Sequence, residues 1–179
     1  MSNVPQNTMK TRITPIEVPS ASVISKQLEG AYYFDSYQMP LEHAGRTALE
    51  IYLDMISKTP SWVDFLMGIR NRVVLLFGLK NLGALGAIQK QKAASEYRIG
   101  DRIGIFTLQS NTDDEVIMGD SDKHLDVKLS ICKLNDNGRQ SVASTTVVHT
   151  HNRLGRIYMM FVIPFHKRIV PAMLVWAGK

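Results

Sequence analysis

The sequence predicts an α+β fold in which a curved antiparallel β-sheet wraps a long C-terminal α-helix. Three features indicate this class: alternating apolar and polar segments after residue 98, an Asn-Gly dipeptide between two of them, and an apolar stripe at helical spacing near the C-terminus. Alternating segments joined by Asn-Gly form β-hairpins. A helix that follows such a meander can cover one face of the sheet.

Length and composition favour one domain. The chain has 179 residues, 45% hydrophobic and 21% charged, which is close to the average for globular domains. Residues 1–13 lack a periodic pattern, so we expect a flexible tail followed by a single domain over 14–179. The net charge of +5 is scattered, so we expect no nucleic-acid partner. One cysteine and no signal-peptide pattern favour a cytoplasmic location.

The N-terminal half is predicted to supply one strand and two helices. The aromatic segment AYYFDSYQMP, which ends at Pro40, suits an edge strand, and apolar spacing predicts a helix over 46–57. A second helix is predicted to start at Pro60, with Thr59 as its cap, and to stop near Gly78. Its apolar stripe fits packing on the sheet or, alternatively, a ligand or partner groove. KNLGALGAIQKQKAAS is predicted to be a loop.

The segments after residue 98 are predicted to form an antiparallel meander. RIGIFTLQ, EVIMGD, KHLDVKLSICKL and QSVASTTVVHTH are separated by turn residues, and Asn137-Gly138 joins the last two. Side chains alternate between the two faces of a strand, so the apolar face of the third segment is predicted to pack inward. The opposite face is predicted to meet water, and it carries His124, Asp126, Lys128 and Ser130.

The C-terminal segment is predicted to be a long helix over residues 152–176. Pro164 and Pro171 lack amide donors and are predicted to kink or split it. The most apolar run, IYMMFVIPF, is well short of the roughly 20 residues that span a bilayer. We therefore expect no transmembrane segment.

Three segments carry a resemblance to a known family: SWVDFLMGIRNRVVLLFGLK, SDKHLDVKLSI and VVHTHNRLGRIYMMFVIPFHKRIVPAML. They resemble a bacterial family catalogued as domain of unknown function 2867, which is placed in the START-like superfamily. The resemblance covers residues 14–179 and implies the helix-grip fold, with a cavity between sheet and helix. It implies no reaction. The chain carries no G-x-G-x-x-G motif, and we expect no cofactor.

A polar cluster is predicted near the end of the last strand. Counting outward from the Asn-Gly turn places Asp126 opposite His149 and His124 opposite His151, and opposed residues lie about 5 Å apart. Arg156 follows in the first turn of the helix. The cluster fits a surface histidine–carboxylate pair, the polar rim of a cavity, or a metal site. The surface pair is favoured, and we predict no metal.

The sequence leaves three functions open. The first is binding of a hydrophobic or amphipathic small molecule, or a lipid, between the sheet and the C-terminal helix. The second is a cyclase-type or hydrolase-type enzyme with His149 or His151 as general base. The third is an interaction module whose basic C-terminal helix engages a membrane surface or a protein. For the first function the predicted ligand contacts are Trp62, Phe65, Phe106, Tyr158, Phe161 and Phe165, with Tyr33 as a polar contact.

Overall fold

Seven strands and three α-helices lie in residues 13–42, 45–76 and 92–177, which are the residues that the computed structural model describes. In chain order the elements are β1 (Thr14–Pro15), a 3₁₀ helix (Val23–Gln27), β2 (Tyr33–Pro40), α1 (Ala48–Ser57), α2 (Ser61–Leu76), a second 3₁₀ helix (Ala94–Glu96), β3 (Arg102–Ile103), β4 (Phe106–Asn111), β5 (Glu115–Ser121), β6 (Leu125–Asp136), β7 (Arg139–Thr150) and α3 (Arg153–Leu174). The strands form one antiparallel sheet in the order β1-β2-β7-β6-β5-β4-β3. This confirms the predicted α+β class.

The hairpin of β6 and β7 has the predicted register. Asn137 and Gly138 both adopt positive φ, at 50° and 83°, as a two-residue type I′ turn requires. Asp126 consequently pairs with His149 along the ladder. RIGIFTLQ forms two strands instead of one, because Gly104 at φ 60° turns the chain between β3 and β4.

The two faces of the sheet are covered by different elements. The helix-side face packs against α1 and α3, whereas the far face packs against the 3₁₀ helix at 23–27. Apolar residues from both layers make the main core on the helix side, and these include Met39, Leu49, Ile51, Tyr52, Ile56, Leu108, Met118, Leu129, Ile131, Val142, Met173 and Leu174.

The far face of β6 is not uniformly solvated, which corrects the prediction that it meets water. Ser130 is fully buried there and donates to Glu115 Oε1 at 2.5 Å. The Ser22 hydroxyl also donates to Oε1, and the amide of Val23 donates to Oε2 at 2.8 Å. The carboxylate thus anchors the 3₁₀ helix over the sheet. A five-residue 3₁₀ helix has no amphipathic stripe long enough to be found from sequence.

The two N-terminal helices begin at different kinds of cap. Thr47 and Glu50 form a reciprocal capping box at the start of α1. Thr59 does not cap α2 as predicted, because its hydroxyl donates back to the Ile56 carbonyl at 2.6 Å. The Pro60 carbonyl instead accepts the Val63 amide at 2.9 Å, so Pro60 precedes the first turn of α2.

The C-terminal helix runs as one element through Pro164 and Pro171, which confirms the predicted long helix and excludes a split at either proline. Asn152 caps its start by accepting the Gly155 amide at 3.1 Å. A Cβ added to Gly155 would lie 2.3 Å from the His124 carbonyl oxygen, so this glycine permits the first turn to meet the β5–β6 connection.

The apolar part of α3 is longer than the nine-residue segment IYMMFVIPF on which the sequence prediction was based. The helix contains an 18-residue window with a mean hydropathy of 1.3, enough by length and composition to cross a membrane, although core helices of soluble proteins meet the same criterion. Only 17% of that window is buried.

Three sequence predictions fall wholly or largely outside the described residues. These are the tail at 1–13, the end of the second helix near Gly78, and most of the predicted loop at 80–95.

Candidate functional site

A polar group lies on the helix-side face, where β2 passes beneath α3. Asp35 is its centre: the Tyr33 hydroxyl donates to Oδ2 at 2.5 Å, and the His166 Nε2 lies 3.2 Å from Oδ1. Tyr33 and Asp35 share this face because they are two residues apart on one strand. His166 comes from α3, in the stripe that includes the buried Met159 and Met173.

The side chains of the site are partly buried and retain some access to solvent. The side chains of Asp35 and His166 are 13% and 20% exposed, and the Tyr33 and His166 rings meet edge to face at 5.8 Å between centroids. A carboxylate can only accept, so the His166 Nε2 in this contact carries the proton. In the neutral ring the opposite nitrogen, Nδ1, is then an acceptor.

Two buried hydroxyls extend the polar group into β7. Thr146 pairs directly with Asp35, and Ser144 pairs with Tyr37. Both hydroxyl oxygens are buried, and neither has a hydrogen-bond partner among the described residues. Buried polar atoms are nearly always satisfied, so a water or a ligand group is expected beside them.

An open cavity of about 580 Å³ lies along β2 and reaches Asp35. Lys167, the neighbour of His166 on α3, contributes a cationic side chain to the wall. The volume is within the range of about 300–1,000 Å³ that is typical of small-molecule sites. The wall consists of Pro15, Ile16, Glu17, Val18, Leu28, Tyr33, Phe34, Asp35, Ser36, Tyr37 and Lys167.

The tyrosines of the site remain protonated. Burial, then the hydrogen bond to Asp35 and its negative charge, raise the pKa of Tyr33 far above its ordinary value. Burial and the charge of Asp35 also raise the pKa of Tyr37. Both phenols are therefore hydrogen-bond donors throughout the physiological range. The group offers phenol hydroxyls as donors and the Asp35 carboxylate as an acceptor, with the His166 ring beside them.

The predicted polar cluster lies on the other side of the sheet. His149 alternates onto the far face, and its Nε2 lies 3.1 Å from the Glu29 carbonyl. His151 Nε2 contacts Asp126 Oδ2 at 3.0 Å, and Ser121 donates to the same carboxylate. Burial alone would raise the pKa of Asp126, but these hydrogen bonds and the nearby histidines hold it below its ordinary value.

The remaining members of that cluster have structural partners. His124 is buried and contacts the Asn152 side chain at 3.2 Å, while Arg156 stacks over the Tyr32 ring at 6.0 Å. The described residues contain no group of three or more His, Cys, Asp or Glu side chains that could hold a metal ion. No residue of the predicted cluster is among those that line the cavity at β2.

The predicted aromatic ligand contacts are distributed over several surfaces. Tyr33 lines the cavity, and Phe106 packs against the core. Tyr158 accepts a hydrogen bond from Arg70 Nε at 2.9 Å and joins α3 to α2. The other predicted contacts, Trp62, Phe65, Phe161 and Phe165, are exposed. They sit on helix faces other than the buried stripes of α2 and α3, where Val63 and Met159 are found.

Sequence reasoning missed Asp35, His166, Ser144 and Thr146. The sequence separation of 131 between Asp35 and His166 hides their contact. One signal was available: Asp35 alternates with Tyr33 and Tyr37, which places a carboxylate on the aromatic face of a strand. Such a charge needs a partner when it is buried.

Comparison with known proteins identifies a family and nothing beyond it. The model of a family described as "Protein of unknown function (DUF2867)" matches residues 27–173. No curated protein and no solved structure matches the chain. The matched range includes Asp35, Thr146 and His166.

Proposed function

The chain belongs to the DUF2867 family, and on this premise we propose that it binds an amphipathic small molecule in the open cavity along β2, beside Lys167 of α3. The carrying observation is the Asp35 group, with its tyrosine and histidine partners, beside a cavity of about 580 Å³. Ligand sites combine an apolar wall with a few placed polar groups. The cavity offers that combination.

The wall and the polar group suggest which ends of the molecule bind where. Ile16, Val18 and Leu28 provide apolar surface for a hydrocarbon body. The Asp35 carboxylate and the Tyr37 phenol, which both line the cavity, suit a hydroxyl or amide that can both donate and accept. An uncharged polar end therefore fits better than an anion, which the Asp35 carboxylate would repel.

The proposal includes a helix-grip, START-like classification for the fold. In its support, one long helix lies against a seven-stranded antiparallel sheet in which consecutive strands pair from β3 through β7, and the β2–β7 pair joins this meander to the β1–β2 hairpin. In this arrangement the main core fills the space between helix and sheet, and the cavity for a ligand lies along β2 beside α3.

An enzyme is the second candidate, now with a different histidine. His166 faces the helix-side polar group, and Asp35 orients it through Nε2 at 3.2 Å. A histidine held in this way presents Nδ1 as a general base. His149 and His151, the earlier candidates for this role, contact Glu29 and Asp126.

The test is native mass spectrometry on protein purified from its own host cells. Wild type is expected to carry a bound organic molecule of drug-like size. Asp35→Asn is expected to lower its occupancy about tenfold, because a charge-assisted hydrogen bond is lost.

A matched control exists on the opposite face of the sheet. Asp126→Asn removes the carboxylate of the other Asp–His pair, and it should leave occupancy unchanged. Equal loss of the molecule in both variants, or no bound molecule in wild type, would contradict binding at the β2 cavity.

A further inference from the structure

The exposed faces of α2 and α3 carry a concentration of large apolar side chains. Phe65 is 69% exposed and Phe161 is 70% exposed. Of the exposed large hydrophobic residues in the described part of the chain, most lie on these two helices, namely Trp62, Phe65, Ile69, Ile157, Met160, Phe161 and Phe165. An exposed apolar patch of this kind marks an interaction surface.

The apolar residues follow helical stripes that differ from the buried ones. On α3, Ile157, Phe161 and Phe165 recur every four residues and lie along one face. On α2, Trp62, Phe65 and Ile69 recur at steps of three and four. We call these six residues the apolar face.

The two stripes belong to neighbouring helices. Arg70 on α2 donates to the Tyr158 hydroxyl at 2.9 Å, and its guanidinium lies 5.5 Å from the Tyr158 ring centroid. Tyr158 is adjacent to Ile157 and one helical turn before Phe161. The contact therefore joins the helices beside the apolar face.

The charge on α3 is entirely positive. Its 22 residues contain no aspartate or glutamate and four basic residues: Arg153, Arg156, Lys167 and Arg168. None of the four forms a salt bridge with another described residue. Lys167 lines the cavity along β2. The other three, Arg153, Arg156 and Arg168, can bind anionic groups outside that cavity.

We propose that the apolar face of α2 and α3 docks on an anionic membrane surface, with the α3 cations bound to lipid phosphates. An amphipathic helix lies in the plane of the bilayer when apolar side chains enter the acyl boundary and basic side chains contact anionic headgroups. The inference does not depend on the proposed ligand cavity.

The geometry favours surface docking over insertion of α3 across the bilayer. Asn152 caps the first turn against the sheet, and Met159, Met173 and Leu174 hold the helix to the core. Insertion would expose that buried stripe and bury Lys167 and Arg168 in hydrocarbon.

Charge also argues against a second copy as the occupant. A symmetric dimer would place the same face of each chain against the other, and thus two sets of α3 cations together. No acidic residue on α3 would offset their repulsion. Anionic lipid supplies the missing counter-charge.

The test is co-sedimentation of the full chain with lipid vesicles. One set contains phosphatidylcholine alone, and the other contains about 30 mol% phosphatidylglycerol. Binding to the anionic vesicles is expected to be at least about tenfold tighter than to the neutral ones, and to weaken as salt is raised.

Three variants locate the surface. Phe65→Gln/Phe161→Gln and, separately, Arg153→Glu/Arg168→Glu are each expected to lower anionic binding at least about tenfold. Val23→Gln is the matched control, because Val23 is 53% exposed on the 3₁₀ helix of the opposite face, and it should bind as wild type does. Circular dichroism checks that every variant is folded.

Several results would overturn the proposal. They are absence of binding, equal binding to both vesicle types, and loss of binding in Val23→Gln to the same extent as in the phenylalanine variant. A dimer in sedimentation velocity that Phe161→Gln dissociates, without vesicle binding, would assign the apolar face to a second copy.

Discussion

Gly155→Ala tests the closest approach between α3 and the sheet. The added methyl group would lie 2.3 Å from the His124 carbonyl oxygen, whereas ordinary contact begins at 3.4 Å. The overlap is therefore about 1 Å, and it involves a backbone atom that cannot rotate away. Either the helix start or the β5–β6 connection must shift.

The magnitude follows from two opposing effects. Overpacking costs about 1–3 kcal/mol, and a backbone clash belongs near the upper end of that range. Alanine has a higher helix propensity than glycine, which stabilises the variant by about 1 kcal/mol. The expected net loss in the free energy of unfolding is about 2 kcal/mol, which lowers the Tm by about 4–8 °C for a chain of this size.

Urea unfolding followed by circular dichroism measures the loss, and Gly68→Ala is the control. Gly68 lies within α2, and a Cβ there would have no atom within 4 Å. This variant should gain up to about 1 kcal/mol. A Gly155→Ala protein as stable as wild type, or one that gains as much as Gly68→Ala, would refute the close approach.

Three further predictions use the charged and phenolic groups. Glu115→Gln should lower the free energy of unfolding by about 1–3 kcal/mol in urea titrations, since one charged acceptor serves Ser22, Val23 and Ser130; an unchanged midpoint would contradict this. Asp126→Asn should lower the free energy of unfolding by less than about 1 kcal/mol at neutral pH, because its pair with His151 is solvent-exposed. The difference from wild type should vanish as the pH falls through the lowered pKa of Asp126. A larger loss would place the pair in the core. At about pH 11 tyrosinate absorbance should show that Tyr33 and Tyr52 are still protonated, because burial raises the pKa of both. The free energy of unfolding should fall as the pH rises past the unfolded pKa of about 10. Full ionisation of the tyrosines in the folded protein would contradict this.

The sequence predicted the local parts of the fold better than the contacts between distant elements. Asn137-Gly138 determined a turn, and the turn determined the pairing of Asp126 with His149, because each step depends only on neighbouring residues. The burial of Ser130 on the same face of β6 was not predictable in the same way. It depends on the 3₁₀ helix at 23–27, which lies about a hundred residues earlier in the chain.

The candidate site shows the same limit. Tyr33 was predicted as a polar contact, but the residue that joins Asp35 to α3 is His166, whose distance from Asp35 along the chain hides the contact. Helical phase explains the exposed phenylalanines. Apolar spacing on α3 marks more than one stripe, and the sequence did not distinguish the stripe holding Met159 from the one holding Phe161.

The most direct measurement of the central claim is an NMR map of where a neutral amphipathic probe binds. On addition of N-phenyl-1-naphthylamine, the backbone amides of 33–37 on β2 and of 166–167 on α3 should shift in a saturable way. The chemical shifts of the Asp126 and His151 amides should not change. Shifts confined to the exposed faces of α2 and α3, or to residues around His149 and His151, would contradict a ligand site at Asp35.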